Sequence, residues 1–133
     1  MDVVVFRREK HSGADGWLSE LYSKKILPDF NCNHSYLVSL EPGAVRAKHY
    51  HNDKTELIAV VYGSVEIINE DIFSKKRTCT TVSTGGSHLE LFLIPPNIAH
   101  VIKNVSNDTS RIIVFSDSHD LEDTISYDFG NKL

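Results

Sequence analysis

Short β-rich runs recur about every ten residues along this chain, each closed by a breaker cluster, and no stretch keeps the 3.6-residue apolar period of a helix. The runs are Val3 to Arg8, Trp17 to Tyr22, Ser35 to Glu41, Val45 to His51, Glu56 to Tyr62, Ser64 to Asn69, Thr78 to Thr84, Leu89 to Ile94, His100 to Asn104 and Arg111 to Ser116. Turn chemistry separates them at Ser12-Gly13, Pro42-Gly43, Asn69-Glu70-Asp71, Gly85-Gly86 and Asn107-Asp108. This pattern predicts an all-β domain. Closing its strands into a barrel would remove exposed edges and leave a ligand cavity at one mouth. The tail from Leu121 to Tyr127 reads as one helical turn or an edge strand. With 133 residues the chain suits one domain with one core, over 1–133.

Within this pattern one stretch carries chemistry. Between Gly43 and Gly63 the order is five residues, His49-Tyr50-His51, four residues, Glu56, then six residues. Alternate residues of a strand share a face, so His49 and His51 project together while Tyr50 points away. The polar stretch Asn52-Asp53-Lys54-Thr55 is turn-prone, and Glu56 to Tyr62 can return antiparallel, bringing Glu56 beside the imidazoles. A second stretch runs Leu91-Phe92-Leu93-Ile94-Pro95-Pro96-Asn97-Ile98-Ala99-His100 and on to Asn104. Neither proline can donate a ladder hydrogen bond, so the strand stops there. Asn97 falls where the turn needs a positive φ, which Asn tolerates better than most residues. His100 opens the next strand.

These two stretches resemble the signature motifs of the cupin superfamily, small double-stranded β-helix (jelly-roll) barrels. There the two histidines and glutamate of the first motif and the histidine of the second hold a metal. The first motif fits at every defining position. The second departs twice, with Leu89 and Asn97 in place of glycines, and keeps Pro95, His100 and Asn104. Among cupins the chain is most similar to the deoxysugar-nucleotide epimerases and 3,4-ketoisomerases. Gly16-Trp17-Leu18-Ser19-Glu20 resembles their opening strand, Gly43 to His51 their arginine-histidine segment, Ile94 to His100 their turn, and Phe115 to Phe129 the ketoisomerase ending.

The resemblance implies an isomerase or epimerase acting on a nucleotide-linked 4-keto-6-deoxy sugar in surface polysaccharide or deoxysugar synthesis. A carbonyl at C4 acidifies the protons at C3 and C5, so the reaction needs a base, a group that stabilises the enolate oxygen, and an acid. His49 matches the catalytic histidine. Arg46 matches the arginine that contacts the diphosphate, although at odd spacing in a regular strand it faces away from His49. Trp17 is a candidate platform for a ring, competing with an ordinary core or dimer role, and Lys54 and Asn104 complete the candidate substrate contacts.

The ligand set His49, His51, Glu56 and His100 also suits a divalent ion, with Zn, Fe, Mn and Ni all compatible. As a ligand His49 could not also be a free base, and the proton-transfer role then moves toward His119, Tyr127 or Lys54. His11, His34 and His88 read as surface residues. Two other classes stay open: a metal-dependent cupin of another reaction type, such as a small-molecule oxygenase, and a non-catalytic sugar-binding cupin.

Composition narrows the partners. A net charge of −4 offers no basic surplus for a nucleic acid, and the apolar runs fall far short of a membrane helix. Cys32 and Cys79, with no apolar leader after Arg7-Arg8, point to a reduced, cytoplasmic setting, and the glycosylation sequons at Asn33, Asn104 and Asn107 read as coincidence. By the family analogy, Val3 to Phe6 would be exchanged in a homodimer.

Overall fold

The computed structural model describes residues 2–131 and Leu133. Its elements are β1 (Val4–Glu9), β2 (His11–Gly13), β3 (Gly16–Leu18), β4 (His34–Leu40), β5 (Val45–Tyr50), β6 (Glu56–Tyr62), β7 (Ser64–Asp71), β8 (Arg77–Ser83), β9 (His88–Ile94), β10 (Ile98–Asn104), β11 (Ser110–Ser116) and β12 (Ile125–Ser126). Two five-stranded antiparallel sheets face each other, ordered β1-β9-β6-β11-β4 and β12-β5-β10-β7-β8, and β2-β3 is a separate hairpin. This is the all-β jelly roll that the sequence predicts. Among the described residues no helix is long and apolar enough to cross a membrane.

Alternation along the strands sorts their side chains into layers. Ile58, Val60, Ile67, Phe92, Ile94, Ile102, Ile112 and Val114 meet between the sheets. Burying each such side chain contributes about 1.5–3 kcal/mol. On the outer face of the first sheet, Leu57, Ala59 and Leu91 are covered by Leu21, Tyr22, Leu27 and Phe30. The outer face of the second sheet packs Ile68, Ala99 and Val101 under Phe129 and Tyr127. Strand β6 therefore lies between two apolar layers, which accounts for its unbroken run from Leu57 to Val61.

Two departures from the sequence reading matter. The run beginning at Trp17 forms only the short hairpin strand β3 and then an irregular segment. The return strand β10 starts at Ile98, two residues before His100. The tail gives the edge strand β12, pairing Ile125 with Tyr50 and Ser126 with His49. The turn at Asn97 does adopt positive φ, at 67°. Strand β1 pairs with β9 of its own chain from Val4↔Leu93 to Glu9↔His88.

Candidate active site

Strands β5, β6 and β10 bring the four predicted ligands together. His49 pairs with His100 across β5 and β10. Their ring centroids are 4.7 Å apart, edge to face, and His49 lies 4.9 Å from His51. Glu56, at the start of β6, reaches both others: its Oε1 is 3.1 Å from His51 Nε2 and 3.5 Å from His100 Nε2. One ligand atom from each of the four lies within 4.8 Å of the rest.

Ring tautomers follow from the hydrogen bonds. His51 Nδ1 donates to the Asp123 carbonyl at 2.5 Å, and His100 Nδ1 donates to the Ile98 carbonyl at 3.2 Å. A carbonyl only accepts, so both Nδ1 atoms carry protons and both Nε2 atoms face Glu56. Each Nε2 is then either the N–H of an imidazolium or a bare lone pair aimed at a carboxylate, and two bare lone pairs need a cation between them and the carboxylate. Ligand atoms about 2.1 Å from a tetrahedral ion sit roughly 3.4 Å apart. The 3.1 and 3.5 Å separations match that figure, so the donor set fits a divalent ion.

Electrostatics keep the carboxyl of the ion-free cluster ionised. Burial opposes ionisation of Glu56, but hydrogen bonds from His100 and His51 outweigh it and hold the carboxyl well below the usual carboxylate range. Burial, then the neighbouring His100 and His51, lowers His49 to about 4, so its imidazole is neutral at pH 7. Unlike the other two rings, His49 has no hydrogen-bond partner fixing it among the described residues, and it faces a cavity of about 80 Å³ between the sheets.

The cavity also holds a residue that the strand parity assigned elsewhere. Arg46, expected to face away from His49, lines the cavity with it. Ala47 and Lys48 have φ of 77° and 55°, and the β5–β10 register shifts so that His100 pairs with His49 but Val101 with Ala47. This bulge inserts one residue and turns Arg46 inward.

Tyr36, unassigned by the sequence reading, lines the same cavity and donates its hydroxyl to Glu56 Oε2 at 3.4 Å. Burial first, then the Glu56 charge, raises its phenol well above the ordinary value, so it stays protonated. Its sequence signal was the inward parity it shares with Val38 and Leu40 on β4. What that signal could not supply was the strand order that sets β4 beside β11, with β6 on the far side of β11.

Other candidates stand apart. Lys54 is buried in the loop after His51, close enough to push down the His49 pKa, although burial and the two histidines do more. His119 stacks on His34, with ring centroids 3.8 Å apart, and His34 in turn lies 5.5 Å from Tyr36, so this pair forms an outer layer beyond the phenol. Tyr127 lies on the outer face of the second sheet against Tyr50 and Phe129, donating to Glu70 and accepting from Lys75 at 3.2 Å. Tyr50 holds it there because it faces away from the histidines. Trp17 is half exposed on the β2–β3 hairpin with the Lys10 ammonium over its ring. Asn104 is buried and spends its amide on the Leu40 and Asp108 carbonyls, at 2.9 and 2.8 Å, while its Oδ1 accepts from Ser106 and Ser110. It fastens turns rather than facing the cavity.

Three solved structures are similar to this one in fold. A dTDP sugar isomerase from Desulfovibrio desulfuricans G20 superimposes with a TM-score of 0.85 at 15% identity, over 95% of this chain and 83% of that one. A dTDP-4-dehydrorhamnose 3,5-epimerase from Bacillus anthracis gives 0.83 at 18%, over 98% and 81%. A sugar 3,4-ketoisomerase from Thermoanaerobacterium thermosaccharolyticum, in complex with TDP, gives 0.77 at 17%, over 92% and 86%. No curated protein matches the sequence. Residues 12–125, most of its length, match the polysaccharide biosynthesis C-terminal domain family, and the chain belongs to that family.

Proposed function

We propose that this protein is a sugar-nucleotide isomerase or epimerase, acting on a dTDP-linked 4-keto-6-deoxy sugar by taking a proton from the carbon beside the ketone. The observation that carries the reading is the cavity in which a neutral imidazole, a protonated phenol and a guanidinium face the same space: His49, Tyr36 and Arg46. The similar folds of sugar epimerases and a ketoisomerase support the substrate class.

In this reading His51, Glu56 and His100 hold a divalent ion, and His49, free of any orienting hydrogen bond, is the base. A bound ion would supply positive charge for the oxygen next to the carbon that loses its proton. His49 takes the proton from C3 or C5, the C–H electron pair moves toward the C4 oxygen, and the Lys54 ammonium adds charge near it. Tyr36, kept protonated, gives a proton to carbon, and the proton taken by His49 passes through solvent to the phenolate, so both groups regain their starting forms. Arg46 meets the diphosphate, whose charge a guanidinium matches in a bidentate fork. His119 and Tyr127 are left without a proton-transfer role. A homodimer and a reduced, cytoplasmic setting belong to the same reading, supported by the exposed Val4 and Val5 on edge strand β1 and the unpaired Cys32 and Cys79.

The test is solvent exchange. Zinc- or manganese-loaded protein incubated in deuterium oxide with TDP-4-keto-6-deoxyglucose should place deuterium at C3 or C5 without consuming oxygen. Absence of label with this and other 4-keto-6-deoxy nucleotide sugars would remove the assignment. One observation favours a second reading: two histidines and a carboxylate, as in His51, His100 and Glu56, are also the ligand set of non-haem iron oxygenases. Oxygen uptake that needs Fe²⁺, with no label transfer, would select it.

A further inference from the structure

The last residues of the chain hold the first half of the site. The Asp123 carboxylate accepts three consecutive backbone N–H groups of the loop between His51 and Glu56, from Asn52 at 2.7 Å, Asp53 at 3.0 Å and Lys54 at 2.9 Å. The Asp123 carbonyl accepts from His51 Nδ1. Two neighbouring contacts grip the same loop and strand: Asp117 Oδ1 accepts from Thr55 N–H at 3.0 Å, and Tyr127 N–H donates to the Lys48 carbonyl at 2.9 Å. Every backbone donor from Asn52 to Thr55 thus ends on a carboxylate of the C-terminal segment.

That segment has little apolar anchorage of its own between Asp117 and Asp123. Leu121, its one large apolar side chain there, is 76% exposed. Segments with few buried contacts open locally at low cost.

We propose that residues 117–127 are a latch on the metal centre, with Asp123 as the positioning residue that commits His51 Nε2 to the ion and fixes the spacing of His51 and Glu56. The inference rests on the reading of His51, Glu56 and His100 as a metal site. When the latch is docked, the Asp123 carbonyl holds the proton on His51 Nδ1, leaving the Nε2 lone pair for the ion, and its carboxylate fixes the path of the loop. When it opens, the ring can turn and the loop relaxes. Because coupling between two equilibria is reciprocal, ion binding must tighten the latch by the same factor by which the latch tightens ion binding.

Zinc affinity, measured by competition with a chromophoric chelator, and amide hydrogen exchange across 117–127 with and without zinc test this together. Asp123→Ala should weaken zinc by about tenfold to a hundredfold, the range for losing a partner that orients a ligand. Asp123→Asn, which keeps one side-chain acceptor oxygen for the loop N–H groups, should weaken it less. Asp108→Ala, which alters only an exposed local contact to Thr109 N–H outside the segment, should leave affinity unchanged. In the wild type zinc should slow exchange at residues 119–125.

An Asp123→Ala affinity within twofold of wild type, or exchange in the segment indifferent to zinc, overturns the latch and leaves the metal centre standing. A wild type that takes up no divalent ion overturns both. If Asp123→Ala does not fold, Asp123→Asn and the wild-type exchange measurement decide alone.

Discussion

Replacing Glu56 by glutamine separates metal binding from folding, because the site's geometry assigns different parts of the carboxylate to each. Glutamine keeps the shape, and its amide N–H can donate to the Nε2 lone pair of His51 or His100, which lie 3.1 and 3.5 Å from the position of Oε1. The metal-free variant also loses a buried charge partner of the two imidazoles, so its own melting temperature in chelator is the baseline and only the zinc-induced rise is compared. With zinc the outcome differs, since an anionic ligand has become neutral. At zinc one hundred times the wild-type dissociation constant, binding stabilises the wild type by about 2.7 kcal/mol. If losing the charge weakens zinc by about a hundredfold, the same concentration gives the variant only about 0.4 kcal/mol. For a chain of this length the difference of about 2.3 kcal/mol corresponds to a gap of roughly 8 °C in melting temperature. The assay is a pair of thermal melts for each protein, in chelator and in zinc. Equal zinc-induced rises in wild type and E56Q would show that Glu56 is not a ligand and that the tautomer argument is wrong.

Three further expectations follow from particular residues. His49→Gln should abolish label exchange, and in the wild type the acid limb of kcat/KM should fall below the ordinary imidazole value, since burial and the neighbouring rings lower His49, which accepts a proton only when neutral. In the metal-free protein the same group makes stability depend on pH: its folded pKa of about 4 lies below the ordinary 6.5, so its contribution is complete above pH 6.5 and is lost as pH falls to 4. Urea melts at pH 7 and pH 4.5 check the sign against His49→Gln, and a variant with unaltered pH dependence would count against it. Gly63→Ala should cost about 2–4 kcal/mol by urea denaturation, through left-handed backbone strain and overpacking. Gly63 has φ +95°, and an added Cβ would lie 2.8 Å from Ser110 Cβ, whose hydroxyl donates to Asn104; a loss below about 1 kcal/mol would mean that the turn relaxes freely.

Some of the site was open to reading from residue order, and some was not. The i, i+2 spacing of His49 and His51 put both imidazoles on one face, and the polar loop followed by an apolar run returned Glu56 to them, because those are local rules of strand and turn. The same parity failed for Arg46, three residues before His49, because a bulge at Ala47-Lys48 changes the count. That bulge accompanies a register shift against β10, more than fifty residues away in the chain. Asn104 and Tyr127 lie away from the cavity for a related reason: each is polar, and whether a polar group meets the cavity or another protein group depends on what folds over it. Tyr36 and Asp123 went unassigned because their partners come from distant strands and loops.

By itself, the residue order decided the all-β architecture, most strands near their observed limits, and the identity of the four clustered side chains, because alternation, breakers and turn residues act over a few neighbours. The tertiary structure decided that Glu56 and His100 share one small space with His49 and His51, that Arg46 and Tyr36 face it, and that the C-terminal carboxylates hold its loop. Those facts depend on which strands pair and in what register, and register is set by contacts between residues far apart in sequence.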